Sequence, residues 1–419
     1  MTTYYTIDML LKAGRHLPGF ACFDTEAGST FMTWSQHPPF TALHGWENFV
    51  RRSIRSTSSR EGGFSGGVVG WLGYEAGQTV EAMPKPDGQR PTHDVCLWRV
   101  DGSLEIDEVT GKVFIHGDDT FRAQAKDLLD LAVRQDTPTF SDSEASGWKP
   151  SNHIERSHHY TKSVRKILDH VHAGDVYQVN LAWEQTAIPI DDAISAWLNL
   201  RSYNPAARGC YLRQGGVEIV SNSPELFLSV DGENRTVQSI PIKGTAPFSG
   251  GDDARNDLEL SPKERAELTM IVDLVRNDLG RVAIPGSVCT EPREIRQCGD
   301  LWHAEQRVKA TLSLNKDAIS AVMAAFPPGS VTGAPKVRAM EVIHHLEDTP
   351  RGIYTGAIGW FADGGSAHLN VAIRTATVVD GFARFHVGAG IVAESHPEDE
   401  WVETLAKARA LAHSLGAGT

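Results

Sequence analysis

Strand patterns and helix patterns alternate irregularly along this chain, and this order constrains the fold more than any other feature of the sequence. Residues 223–230 have the pattern of a strand that ends at the turn Asp231-Gly232, whereas residues 120–134 carry the apolar period of an amphipathic helix. A regular alternation of strands and helices would favour a doubly wound parallel sheet. The irregular order instead predicts a mixed α+β fold.

One segment has the composition of a linker. Residues 135–152 are polar and rich in proline and serine, with neither a helical nor a strand period. The length of 419 residues is compatible with two domains or with one large domain. We therefore predict an N-terminal region over residues 1–134, a linker over residues 135–152 and a larger domain over residues 153–419.

The charge and the cysteine content argue against several classes of protein. The net charge of −13 and the pI near 5.7 disfavour a broad nucleic-acid surface or a surface for anionic membranes. The five cysteines are scattered without a CxxC pair, which predicts neither a disulfide framework nor a zinc site and favours a cytoplasmic protein. Because we recognise no signal peptide and no long apolar run, we expect no membrane partner and no nucleic-acid partner.

The stretch Ser239-Ile-Pro-Ile-Lys243-Gly244-Thr245 indicates chemistry. It has the pattern of a short strand that ends at a Gly-Thr turn. A lysine held against apolar neighbours loses hydration, so its pKa falls and its neutral amine becomes a nucleophile. Gly244 lets another group approach the backbone closely. The alternative is a strand-end lysine whose amine reaches water, and the stretch alone does not separate the two interpretations.

Two predicted helices each begin at a serine and carry two glutamates three residues apart. They are the helix of Ser261, with Glu264 and Glu267, and the helix of Ser395, with Glu400 and Glu403. Residues at this spacing share one helix face. Capping and solvated faces would explain the four carboxylates without a function. If the two faces met, they would form an oxygen-only site suited to Mg²⁺.

Other residues are candidates for contact with a charged ligand. Glu225 begins a strand, where the alternative is a solvated strand-end charge. The glycine-rich turn at residues 329–336 opens a helix and offers backbone N–H groups to an anion. Arg374 lies in an apolar strand and needs a carboxylate, either from the protein or from a substrate. Gly388 and Gly390 flank a predicted strand end, where their backbone amides would be free for an anion.

These motifs, taken in order, resemble the chorismate-utilising enzymes, a family that includes the anthranilate, aminodeoxychorismate, isochorismate and salicylate synthases. The resemblance covers residues from about 155 to 410, and the N-terminal third resembles the weaker N-terminal region of the synthase subunits. It implies a large mixed fold of the anthranilate synthase component I type, with antiparallel sheets packed together and helices outside. It also implies that residues 153–419 form a chorismate-binding catalytic domain.

Within the family, the lysine stretch resembles the aminodeoxychorismate synthase branch. Anthranilate synthases usually carry alanine at the position of Lys243, and isochorismate and salicylate synthases carry a lysine base where Gln178 stands. The Leu-Leu-Glu-Ser motif with which anthranilate synthases bind inhibitory tryptophan is not found, and its nearest counterpart is Phe20-Ala-Cys-Phe-Asp24. An anthranilate synthase component and a non-catalytic chorismate sensor are the alternatives.

The resemblance implies a role for each catalytic residue. Lys243 attacks the ring while Glu225, the general acid, protonates the departing hydroxyl, and ammonia then displaces the lysine to give 4-amino-4-deoxychorismate. His303 matches the catalytic histidine of the family, although its motif Leu-Trp-His-Ala-Glu-Gln departs from the usual His-Leu-x-Ser. Phe248 and Glu394 also replace residues that are usual in the family.

The resemblance implies a substrate site and a metal site as well. The substrate-binding residues would be Gly244, Thr245, Thr332, Tyr354, Arg374, Gly388, Gly390 and Lys407. Mg²⁺ would be held directly by Glu267 and Glu403, with Glu264 and Glu400 in support. The implied partner is a separate glutamine amidotransferase subunit that supplies ammonia, and the implied pathway is folate synthesis through para-aminobenzoate.

Overall fold

A computed structural model describes most of the chain. The described residues are 4–26, 28–56, 64–81, 83–84, 92–134, 150, 152–203, 205–206 and 208–416. The predicted linker over residues 135–152 therefore lies outside the described residues, except for Pro150 and Asn152. Its boundaries stay a prediction.

Within these residues the chain forms ten α-helices. They are α1 (Ile7–Gly14), α2 (Trp46–Ser53), α3 (Asp119–Ala132), α4 (His153–His172), α5 (Ala193–Tyr203), α6 (Gly251–Leu260), α7 (Pro262–Gly280), α8 (Ala318–Ala325), α9 (Lys336–Leu346) and α10 (Pro397–Ser414). Three short 3₁₀ turns span Tyr74–Thr79, Phe248–Gly250 and Gly329–Val331.

The same residues form 21 strands. They are β1 (Phe20–Asp24), β2 (Ser29–Thr33), β3 (Gly67–Leu72), β4 (Val95–Val100), β5 (Gly102–Asp107), β6 (Lys112–Gly117), β7 (Gln178–Pro189), β8 (Arg208–Gln214), β9 (Val217–Ser223), β10 (Leu226–Asp231), β11 (Thr236–Ile240), β12 (Ile242–Pro247), β13 (Cys289–Thr290), β14 (Glu294–Cys298), β15 (Leu301–Glu305), β16 (Val308–Thr311), β17 (Gly333–Ala334), β18 (Ala357–Ala362), β19 (Ala367–Val371), β20 (Thr375–Val379) and β21 (Phe382–Ile391).

The strands assemble into two large sheets and one small sheet. The first has the order β17-β7-β21-β20-β9-β8-β1-β2-β5-β6, the second β13-β16-β11-β10-β19-β18-β3-β4, and the third β12-β15-β14. Neighbouring strands are antiparallel in all three sheets. Strands from before and after the predicted linker share both large sheets, because β1 pairs with β8 and β3 pairs with β18.

The two large sheets pack face to face, and the helices cover their outer faces. Side chains from the two sheets, such as Phe31, Ile219, Trp71 and Ile358, form one buried apolar cluster between them. A second cluster joins the first sheet to α1, α3, α4, α5 and α10, and a third joins the second sheet to α2, α7 and α8. The predicted α+β fold of packed antiparallel sheets with helices outside is confirmed.

The lysine stretch does not form the single strand that its pattern predicts. It is divided at Pro241 into β11, in the second large sheet, and β12, in the three-stranded sheet. Proline has no N–H to donate to a ladder, so the sheet pairing is interrupted there. As a result, β12 carries Lys243 away from the second sheet and next to β15, the strand of His303.

One of the two predicted helix caps is present. The hydroxyl oxygen of Ser261 accepts the N–H of Glu264 at 3.3 Å, and Pro262 is the first residue of α7. Ser395 does not cap α10, which begins at Pro397. The hydroxyl of Ser395 instead donates to Oε1 of Glu400, a side chain of α10, at 2.6 Å.

Candidate active site

Lys243 is half-buried, and its amine lies at the place where β12 approaches β21 and β7. Its nearest neighbours include Gly390, where an added methyl group would lie 2.7 Å from Nζ. Burial lowers the pKa of Lys243, while Glu267, Glu225 and Glu403 oppose that shift. The side chain is half-buried with its amine packed against β21, so the role of Lys243 as a nucleophile stays a prediction. A lysine with a lowered pKa more readily presents the electron pair that a nucleophile needs.

Glu225 is buried beside the same lysine, in the short link between β9 and β10. Burial raises its pKa to about 7, while the hydroxyl of Ser330 and the charge of Lys243 limit the rise. The Ser330 hydroxyl donates to Oε1 at 2.5 Å. A carboxyl group that titrates near neutral pH is suited to general acid catalysis, so the solvated strand-end alternative is wrong for Glu225.

His303 is held between two other predicted site residues. Its Nδ1 lies 3.1 Å from Thr245 Oγ1, and its Nε2 lies 3.5 Å from a guanidinium nitrogen of Arg374. Because arginine only donates, Nε2 must accept, and Nδ1 then carries the proton and donates to Thr245. Burial and the charge of Arg374 lower the pKa of His303 to about 3. The imidazole is therefore neutral at physiological pH.

Arg374 has a buried guanidinium nitrogen without a partner. Its Nη1 is shut off from solvent and makes no hydrogen bond. Burial lowers the pKa of Arg374, and no carboxylate among the described residues counteracts this. The alternative of a structural ion pair is therefore not what the described residues form. An unpaired buried guanidinium is costly, and a carboxylate of a ligand would satisfy it.

Tyr354 and Gly388 meet on a further wall of the site. A methyl group added to Gly388 would lie 2.8 Å from the Tyr354 hydroxyl. The ring of Tyr354 stacks on His386 with centroids 5.5 Å apart, which fixes its orientation. Burial raises the pKa of Tyr354 to about 12, so the phenol is neutral and can donate to an acceptor.

Gly388 and Gly390 were predicted to flank a strand end, and both lie near the end of β21 but within its pairing with β7. Their register partners on β7 are Ala182 and Asn180. The missing side chains leave space that the Tyr354 hydroxyl and the Lys243 amine occupy. The structure therefore explains these glycines by close approach of two side chains, a different reason from the strand end with free amides that we predicted.

The structure makes Gln178 a candidate site residue, although the sequence-based predictions did not include it among the site residues. It is fully buried, and neither the oxygen nor the nitrogen of its amide has a hydrogen-bond partner. The amide nitrogen lies 3.4 Å from the Cβ position of Gly390, on the same side as the lysine amine. Unpaired buried amides are rare, so Gln178 is a candidate for substrate contact that the sequence-based assignment omitted.

The four predicted metal ligands lie on α7 and α10. Gly244, with φ +92°, gives Glu264 room to approach, because an added methyl group would lie 2.7 Å from its Oε2. Burial raises the pKa of Glu267; Lys243 opposes this and Glu264 reinforces it. The pKa of Glu400 is also raised by burial, with Glu403 adding to the effect. Negative charge is therefore concentrated on these two helices, and Lys407 offsets part of it at Glu403.

These carboxylates do not form a complete metal cage. Across the residues that the structure describes, no group of three or more histidine, cysteine, aspartate or glutamate side chains is placed to hold a metal ion. The donors are nevertheless all carboxylate oxygens, which Mg²⁺ prefers, and Mg²⁺ usually takes only one or two carboxylates and completes its shell with water and substrate oxygens. The residues fit that kind of site, and magnesium stays a prediction.

Two predicted substrate-binding side chains already have partners within the protein. Lys407 donates to Glu403 Oε1 at 2.6 Å and to the Gly388 carbonyl at 3.1 Å. The Thr332 hydroxyl donates to the carbonyl of Pro328 at 2.8 Å. Both residues lie beside the site, and their role in substrate binding stays a prediction.

The chain matches one protein family over nearly its whole length. A model described as chorismate binding enzyme matches residues 15–413. The chain belongs to the chorismate binding enzymes. The family predicted from the motifs is confirmed, and the match extends into the N-terminal third.

Curated relatives of this chorismate binding enzyme include two groups, the anthranilate synthases and the aminodeoxychorismate synthases, at similar identity. It is 34% identical to anthranilate synthase component 1 of Geobacillus stearothermophilus, in an alignment that covers 94% of this chain and 84% of the relative. It is 35% identical to aminodeoxychorismate synthase component 1 of Escherichia coli (strain K12), over 87% of this chain and 80% of the relative. Overall identity therefore does not separate the two groups.

A solved structure has the same fold as this chorismate binding enzyme. The crystal structure of anthranilate synthase component I from Streptococcus pneumoniae TIGR4 superposes with a TM-score of 0.78 at 29% identity, covering 94% of this chain and 90% of that chain. The predicted fold type is thus confirmed by comparison. Every helix in the described part of the chain is too short or too polar to cross a lipid bilayer.

Proposed function

We propose that this chorismate binding enzyme is component I of an aminodeoxychorismate synthase and converts chorismate and ammonia to 4-amino-4-deoxychorismate. The observation that carries the proposal is the position of Lys243. Its side chain is half-buried, its pKa is lowered, and its amine packs on Gly390 and interacts with the charge of Glu225. A binding protein without turnover gains nothing from a lysine of lowered pKa beside a carboxyl group that titrates near neutral pH.

Lys243 and Glu225 together account for the first half of the reaction. The neutral amine forms a bond to the ring carbon ortho to the carboxylate while the ring double bonds shift, and Glu225 donates its proton to the hydroxyl on the para carbon. The carbon–oxygen bond breaks and water departs, which leaves a covalent lysine adduct and an ionised Glu225. Ammonia then bonds at the para carbon, the carbon–nitrogen bond to Lys243 breaks, and the amine is regenerated.

Other side chains hold the substrate during these steps. Arg374, with its free buried nitrogen, and Tyr354, with its neutral hydroxyl, are placed to bind the enolpyruvyl carboxylate. Glu267 and Glu403, supported by Glu264 and Glu400, would hold Mg²⁺, which when bound supplies positive charge for the ring carboxylate. The neutral His303 keeps the Arg374 guanidinium and Thr245 in fixed positions.

The ammonia would come from a separate glutamine amidotransferase subunit. The name component 1, shared by the relatives of both groups, implies that such synthases consist of more than one part. The product would require a lyase to release para-aminobenzoate, and we propose that the enzyme acts in folate synthesis in the cytoplasm.

The second candidate function is that of anthranilate synthase component I. Relatives with that name are as similar to this chain as the aminodeoxychorismate synthases are. In that reaction ammonia attacks the ortho carbon directly and pyruvate is lost. Lys243 favours the first function, because an amine that occupies the ortho carbon leaves only the para carbon to ammonia.

Product identification tests the proposal. Purified protein is incubated with chorismate, Mg²⁺ and ammonium at alkaline pH, with and without an added aminodeoxychorismate lyase, and the products are separated by chromatography. We expect para-aminobenzoate only when the lyase is present. Anthranilate and pyruvate without the lyase would show that the chain has the second function.

Two variants test the covalent step. Lys243→Ala should bind chorismate but lose turnover by at least about a hundredfold. Lys162→Ala, which removes an exposed lysine of α4, is the control and should behave as the wild type. Full turnover to aminodeoxychorismate by Lys243→Ala would rule out the lysine adduct.

A further inference from the structure

The carboxyl group of Glu225 accepts a hydrogen bond from a residue that the sequence motifs did not single out. Ser330 lies in the 3₁₀ turn Gly329–Val331, and its hydroxyl donates to Glu225 Oε1 at 2.5 Å. Both side chains are buried. The glycine-rich turn was predicted to offer backbone amides to an anion, but here it offers a side-chain hydroxyl to a carboxyl group of the protein.

The turn that carries Ser330 is fixed on three sides. Gly329 packs so closely on α7 that an added methyl group would lie 2.5 Å from Leu274 Cδ2. Thr332 bonds back to the carbonyl of Pro328. Behind the turn, the buried amine of Lys336 donates to Asp278 of α7 at 2.8 Å and to the Ala325 carbonyl at 2.6 Å. The Ser330 hydroxyl therefore cannot follow Glu225 if that side chain moves, and it defines where Oε1 must lie.

Besides burial, four groups influence the pKa of the Glu225 carboxyl group. They are the Ser330 hydroxyl, the Lys243 amine, the backbone N–H of Ile242 and the more weakly acting guanidinium of Arg208. All four favour the ionised form, against burial, which favours the protonated form. Ser330 acts most strongly of the four and is neutral, so removing it changes no charge in the site.

A hydroxyl that donates to Oε1 also decides which oxygen carries the proton. In a protonated carboxyl group the carbonyl oxygen is the stronger acceptor and the other oxygen bears the hydrogen. While Ser330 donates to Oε1, the accepting oxygen is Oε1, and the proton resides on Oε2. That proton is then the one available to the departing hydroxyl, and after its transfer the Ser330 hydrogen bond stabilises the carboxylate that remains.

We propose that Ser330 is a positioning residue that holds Glu225 Oε1 as the accepting oxygen, so that the catalytic proton is presented from Oε2. This inference rests on the proposed function, in which Glu225 protonates the leaving hydroxyl. Ser330 itself touches no reacting atom and acts only through Glu225.

The test compares Ser330→Ala and Ser330→Thr with the wild type. Because the acid must be protonated, turnover falls as pH rises through the pKa of Glu225. Ser330→Ala removes a donor that favours the ionised form, so the alkaline limb of the kcat profile should move up by about one pH unit. At the optimum, kcat should fall by about tenfold to a hundredfold, since the acid is no longer held in place. Ser330→Thr keeps the hydroxyl and should restore both values.

A second measurement does not depend on turnover. The infrared C=O band of the protonated Glu225 carboxyl, identified by its loss in Glu225→Gln, should titrate at a higher pH in Ser330→Ala than in the wild type. Ser163→Ala, which removes a buried hydroxyl from α4, is the control and should leave both the band and the pH profile unchanged.

The outcomes separate this inference from the proposed function. If the wild type makes aminodeoxychorismate while the limb and the infrared titration of Ser330→Ala match the wild type, the role of Ser330 is refuted and the proposed function stands. If the wild type makes anthranilate instead, the proposed function fails, whereas a shifted limb would still assign Ser330 to the acid, because that reaction also expels the ring hydroxyl.

Discussion

The Lys243 amine packs so closely on Gly390 that the glycine could not carry even a methyl group without displacing it, because that methyl would lie 2.7 Å from Nζ. The atom that must yield is the end of a flexible side chain. Gly390→Ala should therefore misplace the nucleophile while leaving the fold intact. We expect turnover of chorismate to fall by about a hundredfold, with the melting temperature nearly unchanged.

The matched control for this glycine is Gly280→Ala at the end of α7. An added methyl group there meets no atom within 4 Å. Its turnover should equal that of the wild type. Wild-type turnover in Gly390→Ala would mean that the amine does not occupy the observed position during catalysis.

His303 should make the stability of the protein depend on pH. Its pKa is about 3 in the folded state, against an ordinary value of 6.5. Between these values the unfolded chain binds a proton that the folded protein does not, so acid destabilises the folded state by about 1.4 kcal/mol per pH unit. His303→Gln removes this contribution. Measured by urea unfolding, the free energy of unfolding of His303→Gln should fall between pH 7 and pH 5 by about 2 kcal/mol less than that of the wild type.

Exposed His345 supplies the comparison for that experiment. His345→Gln should follow the wild-type dependence on pH. If His303→Gln and the wild type lose the same free energy of unfolding between pH 7 and pH 5, then His303 is not held neutral in the folded state.

Magnesium should stabilise the protein through the glutamates of α7 and α10. At a hundredfold excess over its Kd, a ligand of the folded state adds about 2.7 kcal/mol. The melting temperature of the wild type should therefore rise with added MgCl₂, and that rise should disappear in Glu267→Gln and Glu403→Gln. Glu398→Gln, also on α10 but paired with Arg165, should keep the rise. An equal rise in all four proteins would place the cation elsewhere.

Two arginines near the site, the buried Arg351 and the half-buried Arg374, should respond oppositely to replacement by methionine. Arg351 makes a bidentate pair with Glu347 at 2.6 and 2.8 Å, and Arg351→Met should cost about 3–5 kcal/mol because it leaves a buried carboxylate alone. Arg374 has no carboxylate partner among the described residues. Arg374→Met should therefore keep or raise the melting temperature and weaken chorismate binding by about tenfold or more. A large loss of stability in Arg374→Met, measured by thermal unfolding, would contradict its assignment to the substrate.

Local patterns predict many of the candidate site residues but not their neighbours. The acidic spacing, the lysine between Ile242 and Gly244 and the cap at Ser261 each depend on a few adjacent residues, and such signals can be read from the sequence. The contact between Lys243 and Gly390 depends on how β12 and β21 come together, and no local period encodes that. The same limit explains why Gly388 and Gly390 were expected at a strand end.

The other differences between the predicted and the observed contacts arise because a side chain or backbone group has a partner that the local sequence does not reveal. Ser395 has the pattern of a helix cap, but its hydroxyl is bound to Glu400, and α10 begins two residues later. Ser330 sits in a turn whose glycine and prolines suggested backbone chemistry, and only the tertiary fold brings it to Glu225. Pro241 was included in a single strand, although its missing N–H moves the chain into a different sheet.

The pairing of β3 with β18 also bears on how the chain folds while it is being made. Strand β3 lies between β4, which follows it soon, and β18, which leaves the ribosome much later. At roughly 5–20 residues per second, β3 waits on the order of tens of seconds for its second neighbour. During that time its apolar edge is open to other chains, and this is the interval in which a chaperone would be of most use to the nascent protein.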